Sequence, residues 1–83
     1  DEQIIAAWRD LARLEGVFCE PASAAGVAGL RMLIQQGRAE ADGRYVAVLT
    51  GNGLKDPGLA VEQFEAPKSV PANIDSIVKW LGW

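Results

Sequence analysis

Large apolar residues recur at helical spacing from the start of the chain to residue 15. They are Ile4, Ile5, Trp8, Leu11 and Ala12. Apolar residues spaced i, i+1, i+4, i+7 and i+8 lie on one face of an α-helix. Gly16 follows this stripe, at the position where a left-handed C-terminal cap is least strained. The pattern therefore predicts an amphipathic helix over residues 1–15, with Trp8 on its apolar face.

Small residues dominate the segment that follows. Pro21 is a favourable first-turn residue, and an Ala/Gly-rich stretch continues to residue 36, just before Gly37. Between Pro21 and Leu30 the only polar side chain is Ser23. A run of small residues allows either the backbone of another helix or a ligand at the helix N-terminus to approach closely. The sequence thus predicts a buried helix over 21–36 and leaves both roles open.

A strand pattern occupies residues 45–50, with the sequence Tyr-Val-Ala-Val-Leu-Thr. This nearly continuous β-branched and aromatic run is typical of a strand that is covered on both faces of a parallel sheet. It is the one convincing strand in the chain, and its backbone groups need hydrogen-bond partners. We therefore expect those partners to come from outside this chain.

A weakly helical stretch and one last helix are expected after the strand. A weakly helical stretch at 59–64 follows the turn signal Asp56-Pro57, and Asn73 can cap a last helix. The apolar positions of that last helix are Ile74, Ile77, Val78 and Leu81. The predicted fold class is α/β, in the order helix, helix, strand, helix, and the chain taken alone should be mostly helical.

The composition excludes several kinds of chemistry. The chain has 83 residues, a net charge of -3, no His and one Cys, Cys19. It therefore lacks the residues for zinc fingers, Ser-His-Asp triads and Cys-His nucleophile pairs. Neither a basic surface for nucleic acid nor an apolar span for a membrane is present. The lone cysteine fits a reducing, cytoplasmic setting, although many extracellular domains also lack disulfides.

The start of the chain suggests that it is part of a longer polypeptide. The first residue is Asp1 rather than Met, and helical periodicity is established by Ile4. We expect the natural protein to begin well upstream.

The loop over residues 49–57 is the strongest candidate for a ligand-binding site. Ligands of open α/β sheets bind at the carboxyl ends of the strands, and Gly51 and Gly53 would allow unusual backbone angles and the close approach of a planar ring. The alternative is an ordinary turn after a strand. Lys55 is expected to form a surface ion pair with Asp56 rather than to act as a catalytic amine.

Two residues before the second helix have structural interpretations as well as chemical ones. Glu20 is placed to cap amide groups at the start of that helix, a role that we favour over general-base chemistry. Cys19 lies in an apolar link without any His to activate it, and is expected to be a buried small hydrophobe.

Two blocks of sequence resemble one known family. Residues 16–25 read G-V-F-C-E-P-A-S-A-A, and residues 48–57 read V-L-T-G-N-G-L-K-D-P. Together, and with the opening D-E-Q-I-I-A-A-W, they are similar to threonine synthases in order and spacing. The resemblance covers residues 1–61. Asn52 stands where many relatives have His, while Thr50 and both flanking glycines match.

The resemblance implies an enzyme that uses pyridoxal 5'-phosphate to convert O-phospho-L-homoserine and water into L-threonine and phosphate. It also implies a fold-type II architecture, in which residues 1–83 would be the C-terminal segment of the large, cofactor-binding domain. At the matching position, Thr50 would place its hydroxyl against the pyridine nitrogen of the cofactor. The lysine that holds the cofactor covalently would lie upstream of Asp1, and Lys55 is not that residue.

Several expectations follow for the chain itself. Alone, it should be catalytically inactive, and its unpaired strand at 45–50 should drive self-association, for example as a homodimer. Two rivals remain: a related threonine or serine dehydratase of the same cofactor class, and a non-enzymatic module that self-associates.

Overall fold

Four α-helices account for most of the regular secondary structure. A computed structural model describes residues 1–83, with α1 at Glu2–Glu15, α2 at Ala25–Gln35, α3 at Pro57–Gln63 and α4 at Ile74–Leu81. Two short 3-10 turns, Pro21–Ala24 and Gly53–Lys55, lie before α2 and α3. The molecule is elongated, with principal extents of 51 × 28 × 19 Å. None of its helices has the length and apolar character needed to cross a membrane.

The first predicted helix is confirmed, together with its cap. Gly16 adopts φ 65°, and its N–H donates to the Ala12 carbonyl at 3.2 Å. A left-handed residue at this position closes the last turn and is cheapest as glycine. Trp8 is 1% exposed, so the apolar face is buried as the periodicity predicts.

The second predicted helix is confirmed with a different beginning. Its first turn is a 3-10 turn rather than α-helix, and the Ser23 N–H donates to the Glu20 carbonyl at 2.9 Å. Pro21 supplies no N–H to an α-helical ladder, which suits a tight first turn. Within α2 itself only Ala28 is buried, so burial is concentrated at the start of the segment.

The core is small and built on close helix contact. It consists of five buried residues: Ala7, Trp8, Cys19, Ala24 and Ala28. The alanines let α1 and the start of α2 approach closely around the Trp8 ring. Phe18 and Phe64 pack on that ring, with centroid distances of 6.4 and 5.5 Å. Of the two roles left open for the small-residue run, close helix packing is the one this core uses.

The predicted strand at 45–50 is wrong for this chain taken alone. The segment has no β-strand, and no backbone hydrogen bond outside the helices involves residues 44–50. Val46 and Val48 are 93% and 74% exposed instead of covered on both faces. A strand requires a neighbouring strand to satisfy its backbone groups, and the chain contains none. The structure is therefore helical, and the α/β class is not seen in it.

The two later helices are confirmed. Helix α3 begins at Pro57, two residues before the predicted stretch, because proline is accepted in a first turn. The Asn73 side chain accepts a hydrogen bond from the Ser76 N–H at 2.9 Å, which caps α4 as predicted. Helix α4 has no buried residue, and Trp80 and Trp83 are 50% and 87% exposed.

Candidate functional site

The structure brings the two motif blocks together. Residues 18–20 and 51–53 run antiparallel around an isolated bridge between Cys19 and Asn52. The Glu20 N–H donates to the Gly51 carbonyl at 2.8 Å, and the Gly53 N–H donates to the Phe18 carbonyl at 3.0 Å. Blocks that are distant in sequence thus form one local structure, with Thr50 at its edge.

Close approach explains the two glycines of the loop. A Cβ at Gly51 would overlap the Glu20 side chain, and a Cβ at Gly53 would lie 2.5 Å from carbons of the Phe18 ring. Neither glycine has a positive φ. The expectation of unusual backbone angles is therefore wrong. The loop needs residues without a side chain at these two positions, because the other motif block occupies that space.

Trp8 anchors the first block from inside the core. Its Nε1–H donates to the Cys19 carbonyl at 2.7 Å in a buried hydrogen bond. The bridge hydrogen bonds use the residues on either side of Cys19, so its own carbonyl needs another donor. Trp8 is that donor, and α1 thereby fixes where the first block lies.

Cys19 is the buried small hydrophobe that its sequence context predicts. It is 2% exposed, and desolvation by burial raises the pKa of its thiol, an effect that a backbone hydrogen bond partly opposes. A thiol kept protonated is a poor nucleophile. Cys19 therefore supports the structure of the site and not its chemistry.

Lys55 and Glu20 pair with each other. Lys55 Nζ lies 3.5 Å from Glu20 Oε2, so the expected partner Asp56 is wrong. The side chain of Glu20 makes no capping hydrogen bond with the helix start, which corrects that expectation too. The Lys55 side chain is 73% exposed. A solvated, ion-paired lysine is not set up as a catalytic amine.

Thr50 lies at the open edge of the joined blocks. The residue is exposed, and its Oγ1 lies 3.3 Å from the Oγ of Ser23. The same Ser23 oxygen accepts a hydrogen bond from the Gly51 N–H at 2.9 Å. A buried serine hydroxyl thus lies beside the hydroxyl of an exposed threonine at this edge.

Comparison with known proteins decides the family. A sequence profile described as pyridoxal-phosphate dependent enzyme matches residues 1–51, more than half of the chain. The chain belongs to this family of pyridoxal-phosphate dependent enzymes. Membership confirms two predictions made from the motif blocks, that the protein is of an enzyme family and that its cofactor is pyridoxal phosphate.

Individual relatives within this family share one name, threonine synthase. A threonine synthase of Methanosarcina acetivorans is 53% identical over 77 residues, which cover 93% of this chain and 19% of that protein. One of Methanocaldococcus jannaschii is 42% identical over 81 residues, 98% of this chain and 20% of that protein. One of Mycobacterium tuberculosis is 45% identical over 82 residues, which cover 99% of this chain and 23% of that protein. The similarity to threonine synthases is thus confirmed, over about a fifth of the relatives' length.

The described residues fit one part of this family's cofactor. The hydroxyl of the exposed residue Thr50 can donate to an unprotonated ring nitrogen or accept from a protonated one. The Gly51 N–H at the same edge donates to Ser23, so it is not free to bind a phosphate group. No group of His, Cys, Asp or Glu side chains could hold a metal ion.

Two residues of the site were not identified from sequence as part of it. Trp8 was predicted to be buried, but its hydrogen bond to Cys19 depends on how α1 packs. Ser23 had one signal, its isolation as a polar residue within an apolar run. A lone hydroxyl in a buried segment must find a partner, and here it finds Thr50 and Gly51.

Proposed function

We propose that this chain is the C-terminal segment of the large domain of a fold-type II threonine synthase. The whole enzyme would convert O-phospho-L-homoserine and water into L-threonine and phosphate, in the cytoplasm. Relatives named threonine synthase align with 88% to 100% of the chain, whereas the general family profile ends at residue 51. Residues 52–83 are therefore shared with threonine synthases beyond the part that the general profile matches.

The role proposed for Thr50 is to contact the pyridine nitrogen of the cofactor. The observation that carries it is the hydroxyl of the exposed residue Thr50, which lies 3.3 Å from the Oγ of the buried residue Ser23 at the edge of the joined motif blocks. When bound, pyridoxal phosphate withdraws electrons from the substrate. A neutral hydroxyl contacts the nitrogen without the charge of a carboxylate, so it tempers how strongly the ring withdraws them.

The remaining residues of the site would shape and support this contact. The joined blocks keep Thr50 at a fixed edge, and the glycine at position 51 leaves room for the Glu20 side chain beside it. The lysine that binds the cofactor covalently and the groups that bind its phosphate would come from other parts of the enzyme. The chain alone is expected to be inactive for that reason.

The test uses the threonine synthase that contains this sequence. Thr50→Val removes the hydroxyl at nearly constant shape, and Thr50→Ser keeps it as the matched control. We expect Thr50→Val to change the absorbance spectrum of the bound cofactor and to lower kcat by about tenfold or more, the equivalent of one lost hydrogen bond of about 1.4 kcal/mol. Wild-type absorbance and turnover in Thr50→Val would contradict the proposal.

The dehydratase alternative is tested by the products. A threonine synthase releases phosphate from O-phospho-L-homoserine, whereas a dehydratase would consume threonine or serine and release ammonia. The relatives named threonine synthase favour the first reaction. Ammonia release from threonine without phosphate release from phosphohomoserine would favour the second.

Segment 45–50 is proposed to complete a sheet with strands from elsewhere in the enzyme. Its backbone is unpaired and its valines are exposed, and both features suit a strand that lacks its neighbours. In the isolated chain we expect the same segment to pair between copies, giving a homodimer. Light scattering after size-exclusion chromatography tests this, and a monomer at high concentration would contradict it.

A further inference from the structure

Ser23 is the one buried polar side chain of the chain, and it faces the proposed ligand contact. It is 8% exposed and lies in the 3-10 turn Pro21–Ala24. Its hydroxyl makes two hydrogen bonds, with the Gly51 N–H at 2.9 Å and with Thr50 Oγ1 at 3.3 Å. Ser23 thus links the Gly51 backbone to the Thr50 side chain.

Counting donors and acceptors gives these bonds a direction. The Gly51 N–H can only donate, so it occupies a lone pair of the Ser23 oxygen. The Ser23 proton then needs an acceptor, and the only one within hydrogen-bond distance is Thr50 Oγ1. A buried hydroxyl without an acceptor is costly, so Ser23 donates to Thr50. The proton of the Thr50 hydroxyl is thereby left free to point away from Ser23, towards the exposed side.

We propose that Ser23 is a positioning residue that makes the Thr50 hydroxyl a donor to the ligand. This inference rests on the proposed function, in which the ligand atom is the pyridine nitrogen. The chain of bonds runs from the Gly51 N–H to Ser23, from Ser23 to Thr50, and from Thr50 to the nitrogen. The Thr50 side chain, β-branched and stiff at χ1, is held by its inner hydrogen bond and points its proton outward.

The test reads the pyridine nitrogen directly. The threonine synthase that contains this sequence is loaded with nitrogen-15 pyridoxal phosphate, and the nitrogen chemical shift is measured by NMR. Ser23→Ala removes the positioning hydroxyl, and Thr50→Val defines the shift without any hydroxyl contact. Ala22→Gly loosens the same turn at an exposed residue and serves as the matched control.

We expect Ser23→Ala to move the nitrogen shift most of the way to the Thr50→Val value, and Ala22→Gly to leave it near that of the parent enzyme. The value of kcat should fall about fivefold in Ser23→Ala with KM unchanged, because Ser23 touches neither substrate nor cofactor. Ser23→Cys, which keeps a weak donor of similar size, should give an intermediate shift. That variant also provides the test if Ser23→Ala does not fold.

The other outcomes are distinguishable. If Thr50→Val moves the shift while Ser23→Ala and Ser23→Cys do not, Thr50 contacts the nitrogen without help and the role of Ser23 is overturned. If Ala22→Gly moves the shift as far as Ser23→Ala does, Ser23 acts only through the stability of its turn, which also overturns the inference. If Thr50→Val itself leaves the shift unchanged, the proposed contact fails, and the role of Ser23 fails with it.

Discussion

Replacing Trp8 by Phe tests how α1 holds the first motif block in place. The substitution keeps an aromatic ring in the core but removes the Nε1–H that donates to the Cys19 carbonyl at 2.7 Å. The bridge hydrogen bonds on either side of that carbonyl stay intact, because they involve Phe18 and Glu20. The change therefore isolates one buried hydrogen bond and a modest loss of ring volume.

The expected loss of stability follows from the burial of the two partners. A buried carbonyl left without its donor costs about 1–3 kcal/mol. The smaller ring leaves space beside Phe18 and Phe64, whose rings pack against Trp8, and this cavity adds about 1 kcal/mol. The free energy of unfolding should therefore fall by about 2–4 kcal/mol, a large part of the stability of a domain with so small a core.

Urea unfolding followed by far-ultraviolet circular dichroism measures this loss. Trp80→Phe is the matched control, because Trp80 is 50% exposed and its indole makes no hydrogen bond with the rest of the chain. The control should stay within about 0.5 kcal/mol of the parent. Equal shifts for the two variants would refute the reasoning. A second readout is the Cys19 thiol, which should react faster with a thiol reagent in Trp8→Phe once its block is no longer anchored.

Two further predictions concern the joined blocks. Gly53→Ala should destabilise the chain by about 1–3 kcal/mol, because the added Cβ would lie 2.5 Å from the Phe18 ring. Gly29→Ala is the control, since Gly29 lies in α2 with open space around it, and it should be neutral or stabilising by up to about 1 kcal/mol. Thermal unfolding of the two variants checks this, and equal effects would contradict it. Burial raises the pKa of the Cys19 thiol in the folded chain. Below the ordinary thiol pKa the thiol is protonated in both the folded and the unfolded chain, so its contribution to stability is fully present. Above that pKa the unfolded chain ionises first, so stability falls as pH rises through the raised value. Urea titrations at pH values below and above the raised thiol pKa should show the free energy of unfolding fall in the parent chain and stay constant in Cys19→Ala. A fall of the same size in Cys19→Ala would assign the pH dependence to another group.

Local signals predicted the helices well. The Gly16 cap, the Asn73 cap and the apolar stripe that buries Trp8 all depend on residues within one or two turns of each other, and all three are confirmed. The predicted start of the second helix was less accurate, because a 3-10 turn and an α-helical turn at Pro21 differ little in energy.

Non-local structure was harder to predict. The residues at 45–50 have strand propensity, but a strand exists only with a neighbour, and propensity does not supply one. Lys55 was paired with its sequence neighbour Asp56, whereas the fold places the carboxylate of Glu20 beside it. The resemblance to threonine synthases made Thr50 a candidate but not Ser23, because their contact exists only once the two blocks are joined.

Thr50 is the last residue of the unpaired segment 45–50, so the proposed sheet completion and the proposed ligand contact would be coupled thermodynamically. Neighbouring strands that took up the segment would restrict the backbone that leads into Thr50, whose side chain Ser23 already holds, and the entropy of ordering residues 45–49 would be lost at that moment. A ligand that bound the Thr50 hydroxyl afterwards would encounter a chain that is already ordered, so it would bind more tightly. Linkage is reciprocal, and a ligand at Thr50 would therefore strengthen strand pairing at 45–50 by the same factor. Sheet completion and ligand affinity at this edge would then be two measurements of one coupling free energy.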